Sequence, residues 1–258
     1  MAAEPQESRN GVQVIARAAA VLRALEQNPD GLTLGEAAKI VELPRSTVQR
    51  IVDALALEGL VMSAGSAGGL RLGPAILSLA SATRFELADV ARDILRDLSR
   101  RSGETVDLSI IDQNKVVFID QITGSHRLRA VSAVGVTFPL HCCAPGKAML
   151  AALDDDELER VRRRLRLHAV TRNTITSWEA LDDALERVRE TGMAEDREEN
   201  SIGICAASVA LKGPSGELAA VSMPVPTHRY LENEQKYKDL LLASARRLQT
   251  LLARTKIG

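Results

Sequence analysis

The chain has 258 residues, 45% hydrophobic and 26% charged, enough apolar material for one small and one ordinary globular domain, and it reads as water-soluble. No apolar run is long enough to span a bilayer, and the N-terminus lacks the apolar core of a secretory signal, so the expected compartment is the cytoplasm. Three cysteines, two of them adjacent at Cys142 and Cys143, give neither a disulfide framework nor a metal-ligand spacing.

Residues 1–11 are polar and read as a disordered tail. From Val12 to Gln27 the apolar residues Val14, Ile15, Ala18, Val21, Leu22 and Leu25 recur at helical spacing, and Asn28-Pro29-Asp30-Gly31 breaks the pattern. Thr33 with Glu36 forms a capping-box pattern at the start of a short helix over Leu34 to Ile40. After a turn around Val41 to Leu43, Pro44 suits the first position of a third helix. In that helix Val48, Ile51, Val52 and Leu55 face a core, while Arg45, Ser46, Thr47, Gln49 and Arg50 point outward. Guanidinium, hydroxyl and amide groups at the exposed start of the second helix of a helix-turn-helix are suited to gripping phosphates and reading base edges in a major groove. Thr33, at the exposed start of the preceding helix, joins these candidate DNA contacts. Two short apolar runs, ending at Met62 and starting at Gly69, flank the turn Ser63 to Gly68 and predict a two-stranded wing on which Arg71 is a further candidate contact.

This segment is not basic. Residues 1–73 carry seven Arg and Lys against eight Asp and Glu. Phosphate neutralisation supplies most non-specific affinity, so one copy should hold DNA weakly and two or more copies on one operator are expected.

Pro74 to Arg101 predicts one or two amphipathic helices closed by Gly103. Beyond it, Thr105–Ile111, Lys115–Gln121, Leu128–Ser132, Gly203–Leu211 and Glu217–Met223 read as strands. Helices are expected over Pro145–Leu153, Asp155–Leu167, Ser177–Thr191 and about Glu232–Arg254, with Thr176 and Glu179 as another capping box. Hairpins mixed with helices give an α+β domain with an antiparallel sheet.

His141-Cys142-Cys143 raises the alternative of a thiol-dependent enzyme using Cys142 or Cys143, but neighbouring residues in an extended segment point to opposite faces, so imidazole and thiol are poorly placed to pair. Gly146-Lys147 lacks the earlier glycine of a phosphate loop, and Ala148 replaces its hydroxyl. His126, His168 and His228 are scattered and read as surface residues. No metal or other cofactor is expected. A protein-interaction module is a further alternative, and it predicts no affinity for DNA at low salt.

Taken together, the opening pattern Val12 to Leu25, the block Leu43-Pro44-Arg45-Ser46-Thr47-Val48-Gln49-Arg50, Gly69-Leu70-Arg71-Leu72-Gly73, Pro139-Leu140-His141 followed by Gly146-Lys147-Ala148, and Gly192 to Gly203 containing Asp196-Arg197-Glu198-Glu199 resemble the IclR-type bacterial transcriptional regulators over nearly the whole chain. The resemblance implies a winged helix-turn-helix over 12–74, linker helices over 75–102 and a GAF-like effector-binding domain over 103–258. It implies a regulator, repressor or activator of a metabolic or catabolic operon, acting as a homodimer or tetramer on double-stranded operator DNA. Its effector would be a small organic acid or related metabolite. Carried across residue by residue, the effector cup falls on Ala144, Pro145, Asp196, Ala206, Ser222 and Pro224, with Cys205 beside it. Relatives that bind small oxo-acids offer a cysteine and a second serine where this chain has Ala206 and Pro224, which points to a larger or less polar effector. With aromatics at only 2% of the chain, an aromatic ligand is expected to meet aliphatic walls.

Overall fold

A computed structural model describes residues 6–64, 68–82, 86–213 and 216–255. The chain divides into two compact units, Met1–Arg84 and Phe85–Gly258.

The first unit contains α1 (Gln6–Glu26), α2 (Leu34–Ile40), α3 (Arg45–Leu57), the antiparallel strands β1 (Val61–Ala64) and β2 (Gly68–Leu72), and α4 (Ala75–Ala82). Val21 and Leu25 of α1, Ala37 of α2 and Val48, Ile51, Val52 and Leu55 of α3 meet in one buried cluster, with Val61 closing it from the wing. Thr33 caps α2: its hydroxyl accepts from Glu36 N, and its own N–H donates to the Glu36 carboxylate at 2.8 Å. A bridge between Leu32 and Leu70 ties the segment before α2 to the wing.

Two expectations for this unit are corrected. Residues 6–11 belong to α1 rather than to a tail, because Gln, Glu and Arg favour helix without needing apolar neighbours; residues 1–5 lie outside the described residues. Pro44 is the N-cap of α3, in extended conformation, and not its first helical residue. Of the expected turn Ser63 to Gly68, residues 65–67 lie outside the described residues.

The second unit contains α5 (Glu86–Ser102), β3 (Val106–Asp112), β4 (Lys115–Ile122), β5 (Thr137–Pro139), a 3₁₀ turn (Leu140–Cys142), α6 (Ala144–Ala152), α7 (Asp155–Arg162), α8 (Trp178–Thr191), β6 (Ala194–Arg197), β7 (Ile204–Lys212), β8 (Leu218–Pro226) and α9 (Thr227–Thr255), which is broken at Asn233. The six strands form one antiparallel sheet in the order β5-β4-β3-β8-β7-β6. Strand alternation sorts its residues by face. Val106, Leu108, Cys205, Ala207, Val221, Met223 and Val225 pack with α5 and α9, while Val116, Phe118, Ala194 and Ala220 pack with α6 and α8. The sheet is therefore sandwiched between two helical layers.

Here the sequence reading needs four corrections. Residues 75–102 are not one linker: α4 falls in the first unit, whereas Leu87, Ala91, Ile94, Leu95 and Leu98 of α5 are core residues of the second. Leu128–Ser132 is not a strand, since its backbone joins no ladder and Leu128 and Val131 stay exposed. Ser177, not Thr176, caps α8, accepting from Ala180 N. The helix from Asp155 ends at Arg162, five residues short of Leu167.

Candidate functional site

In the first unit, α3 presents Arg45 over Gln49 and Ser46 over Arg50, two adjacent rows at i, i+4 spacing. Val48, Ile51 and Val52 behind them are buried, so these four side chains are exposed by the same periodicity that builds the core. Thr47 is half-buried. Gln49 Nε2 donates to Asp53 Oδ1 at 2.7 Å, which fixes its amide within the helix. Among the described residues, no carboxylate pairs with Arg45 or Arg50. The other two candidate contacts are engaged by the protein itself. The Thr33 hydroxyl is occupied by Glu36. Arg71 donates through Nε and Nη2 to the Asp30 carbonyl oxygen at 3.2 and 2.8 Å, bracing the wing against the turn before α2.

In the second unit a cavity of about 270 Å³ opens on the α6 side of the sheet. Its floor is made by Asp107 of β3, Ser222 and Pro224 of β8, Ala206 of β7 and Asp196 of β6, and register explains why. Asp107 pairs with Ser222 across β3–β8, and Asp196, Ala206 and Pro224 lie in one row across β6, β7 and β8. Ser222 and Pro224 are two apart on one strand and so share a face. Phe118 and Phe138 line one wall, edge to face with ring centroids 5.1 Å apart. The start of α6 closes a second wall with Cys143, Ala144 and Pro145, and Ala130, Val131 and Ser132 also line the cavity.

Local sequence explains the positions of these walls. Cys143 is the extended N-cap of α6 and Pro145 follows in its first turn, where a fixed φ suits a helix start. A Cβ on Gly146 would lie 2.1 Å from the Leu140 carbonyl oxygen, so only glycine lets α6 press against the 3₁₀ turn. On the opposite side Asp196 Oδ1 accepts from Glu199 N at 2.7 Å, closing a loop in which Glu198 has a left-handed φ of 62°. Thr171 and Thr174 donate to the Glu198 and Glu199 carbonyls, and the buried Lys147 pairs with the Glu199 carboxylate. These bonds hold Asp196 toward the cavity.

Burial governs the electrostatics. Asp107 is 1% and Asp196 5% exposed. Loss of solvation raises Asp107 to about 6, against donation from Gln121 and Ser132. The same cause, joined by the nearby Glu199 charge, raises Asp196 to about 7, against the backbone bond from Glu199 and the Lys147 charge. Gln121 Nε2 donates to both Asp107 Oδ1 and Ser132 Oγ at 2.7 Å, joining the floor to the segment of Ser132.

Six of the seven expected effector residues, Ala144, Pro145, Asp196, Ala206, Ser222 and Pro224, thus come together around one cavity. Cys205 does not: it lies one residue from Ala206 on β7, faces α9, and its thiol donates to Thr227 Oγ1 at 3.6 Å. Asp107, Ser132, Phe118, Phe138 and Ile204 line the cavity without having been foreseen. The alternation Val106-Asp107-Leu108-Ser109 was the available signal for Asp107, but polar residues at every second position read equally well as a solvated face. Phe118 and Phe138 also correct the expectation of purely aliphatic walls.

The thiols next to the cavity are poor nucleophiles. Burial and nearby carboxylates push Cys142 up to about 12, and burial raises Cys143 well above the ordinary thiol range. His141 Nε2 lies 2.9 Å from the His168 carbonyl oxygen, and among the described residues no hydrogen bond joins His141 to either thiol. No group of three or more His, Cys, Asp or Glu among those residues is arranged to hold a metal, and no helix is long and apolar enough to cross a membrane.

Comparison with known proteins matches both parts of the chain. Residues 14–63 match the IclR helix-turn-helix domain, and residues 79–250 match the bacterial transcriptional regulator IclR C-terminal domain. The HTH-type transcriptional regulator Rv1719 of Mycobacterium tuberculosis is 50% identical over 246 residues, 94% of either chain. The crystal structure of the Thermotoga maritima IclR is 29% identical and superposes with a TM-score of 0.74 over 93% of this chain and 99% of that one. An IclR homolog from Microbacterium hydrocarbonoxydans, complexed with 4-hydroxybenzoate, shares the fold at a TM-score of 0.79 and 23% identity, over 93% of this chain and 99% of its own. With both parts matched in order and a relative of 50% identity along nearly its full length, the chain belongs to the IclR family of bacterial transcriptional regulators.

Proposed function

We propose that this regulator binds a two-fold-symmetric operator through α3 and that a small molecule in the cavity of the second unit alters operator affinity. The observation that carries the reading is the pair of guanidinium groups, Arg45 and Arg50, unpaired among the described residues, on an exposed helix face backed by a fixed core. Arg45, Ser46, Thr47, Gln49 and Arg50 contact bases and phosphates in the major groove; Thr33 and Arg71 act from the flanks through their positions and backbone, since their side chains are engaged within the protein. The near-neutral first unit calls for two copies on one operator, hence a homodimer or a tetramer. The protein works in the cytoplasm, where its DNA is, and the second unit senses and does not catalyse. Cavity size supports a ligand: a cavity of roughly 150 Å³ already takes benzene, and this one is larger at about 270 Å³.

Selection from a random-sequence duplex pool at moderate salt tests the reading. Enrichment of a palindromic motif is expected. Failure of any sequence to be enriched by the wild-type protein, or equal enrichment by an Arg45→Ala, Arg50→Ala double variant, would overturn it.

A further inference from the structure

The cavity also constrains the charge of what it holds, and this deepens the reading of it as the effector site. Among its described lining residues there is no lysine, arginine or histidine. The nearby Lys147 is buried in an ion pair with Glu199, outside the lining. Two carboxyl groups do line it, and they stand far apart. Asp107 lies on β3 and Asp196 on β6, with β8 and β7 between them. Three strand spacings amount to roughly 14 Å along a flat sheet and less along a curled one.

Each carboxyl already accepts from the protein, Asp107 from Gln121 Nε2 and Ser132 and Asp196 from the backbone of Glu199 and Asn200. An ionised carboxylate has about four acceptor sites, so both retain capacity for a ligand N–H or O–H. An anion would find neutral donors at Ser132, Asn200, Ser201 and Ser222 and the start of α6, whose partial positive charge of about half a unit is outweighed by two carboxylates when these are ionised. Beyond Asp107, on the β4–β5 side, Phe118 and Phe138 offer ring surface to an aromatic or cyclic body, and an aromatic face also attracts a cation.

We propose that the effector is a one-ring molecule without a negative charge, carrying an amine or hydroxyl that donates a hydrogen bond to Asp107 or Asp196, with amines preferred. This departs from the organic acid that the family resemblance implies. It makes Asp107, with Gln121 and Ser132 behind it, a specificity-determining group of the cavity.

The test is a panel of one-ring compounds, each in matched amine, alcohol and carboxylate forms, 4-hydroxybenzoate among the carboxylates. Binding is read by calorimetry and thermal shift on the DNA-free full-length protein at pH 8. The amine member should exceed its carboxylate partner by at least about tenfold, which one charge repulsion across several ångströms is enough to produce. The alcohol should fall between them. In the Asp107→Asn, Asp196→Asn double variant the amine preference should vanish while carboxylate binding improves. A wild-type preference for carboxylates, the same ranking in the double variant, or no binding by any member would each overturn the proposal. Because the titration contains no DNA, its failure is distinct from a failure to select an operator.

Discussion

Arg45 and Arg50 are exposed and have no partner among the described residues, so their replacement removes no contact within the protein and makes them sensitive probes. A guanidinium bonded to a base at two points is worth about 1–3 kcal/mol, so alanine there should weaken the selected operator by that amount and relax specificity at one base pair. A residue that touches only phosphate should cost less, uniformly across sequences, and lower the salt slope by about one. Fluorescence anisotropy on the selected duplex at several salt concentrations separates the two. Unchanged binding in both single variants would remove α3 from the interface. In the second unit, Asp196 makes a prediction about pH. Burial lifts its carboxyl from 3.8 to about 7, so the folded chain keeps a proton that the unfolded chain releases within that interval. Asp196 therefore costs stability increasingly as pH rises from about 4 to about 7, and the cost persists above. Asparagine at this position still accepts from Glu199 N without carrying the charge. The Tm of Asp196→Asn minus that of wild type should thus be larger at pH 8 than at pH 5, and a difference independent of pH would contradict the assignment.

Elements differ in how far their sequences betray them. The core of α3 and the α2 capping box could be read directly, because a buried helical stripe and a Thr-x-x-Glu cap each depend on residues within a few positions of one another. Thr33→Ala should accordingly cost about 1 kcal/mol, measurable by chemical denaturation of the first unit. Near α8 the same rule pointed to Thr176 with Glu179, yet the helix starts one residue later and Ser177 caps it. The misreadings arose where partners are distant in sequence. The strand Ala194-Glu195-Asp196-Arg197 went unread because its charges carry no strand signal, and it is pairing with β7 that buries Ala194 and Asp196 on one face. Leu128–Ser132 has strand composition and lacks a strand neighbour. The apolar stripe of α5 was visible, but its covering surface, α9 and the sheet, lies far along the chain. At the start of α6 a single atom decides the fit: with Leu140 O only 2.1 Å from its built Cβ, Gly146→Ala should force the helix off the 3₁₀ turn, lowering Tm and deforming the cavity wall. Wild-type stability and ligand affinity in that variant would show that α6 tolerates displacement.

At the scale of the whole chain, charge and linkage govern how the protein meets DNA and effector. Seven basic against eight acidic residues in 1–73 leave little electrostatic hold on DNA for one copy, so sedimentation at micromolar concentration should show a dimer or larger species. A monomer that grips a single half-site tightly would refute the two-copy reading. Two ligands on one regulator must also obey reciprocity: if effector shifts operator affinity by some factor, saturating operator shifts effector affinity by the same factor. A coupling of about 1–3 kcal/mol, five- to 150-fold, is the usual size. Substitutions in the cavity can then be sorted by what they change. Ser222→Ala and Asp196→Ala remove groups from the cavity floor and none from α3, so operator binding without effector should stay near wild type while effector affinity falls. If the lost contact is equally strong in the DNA-bound and free forms, the coupling factor survives; if it forms in one state only, the factor collapses toward one. Calorimetric titration of effector with and without operator, on wild type and both variants, measures each quantity. Unaltered effector affinity in both variants would move ligand recognition off the sheet floor and onto the backbone around Ala144 to Gly146.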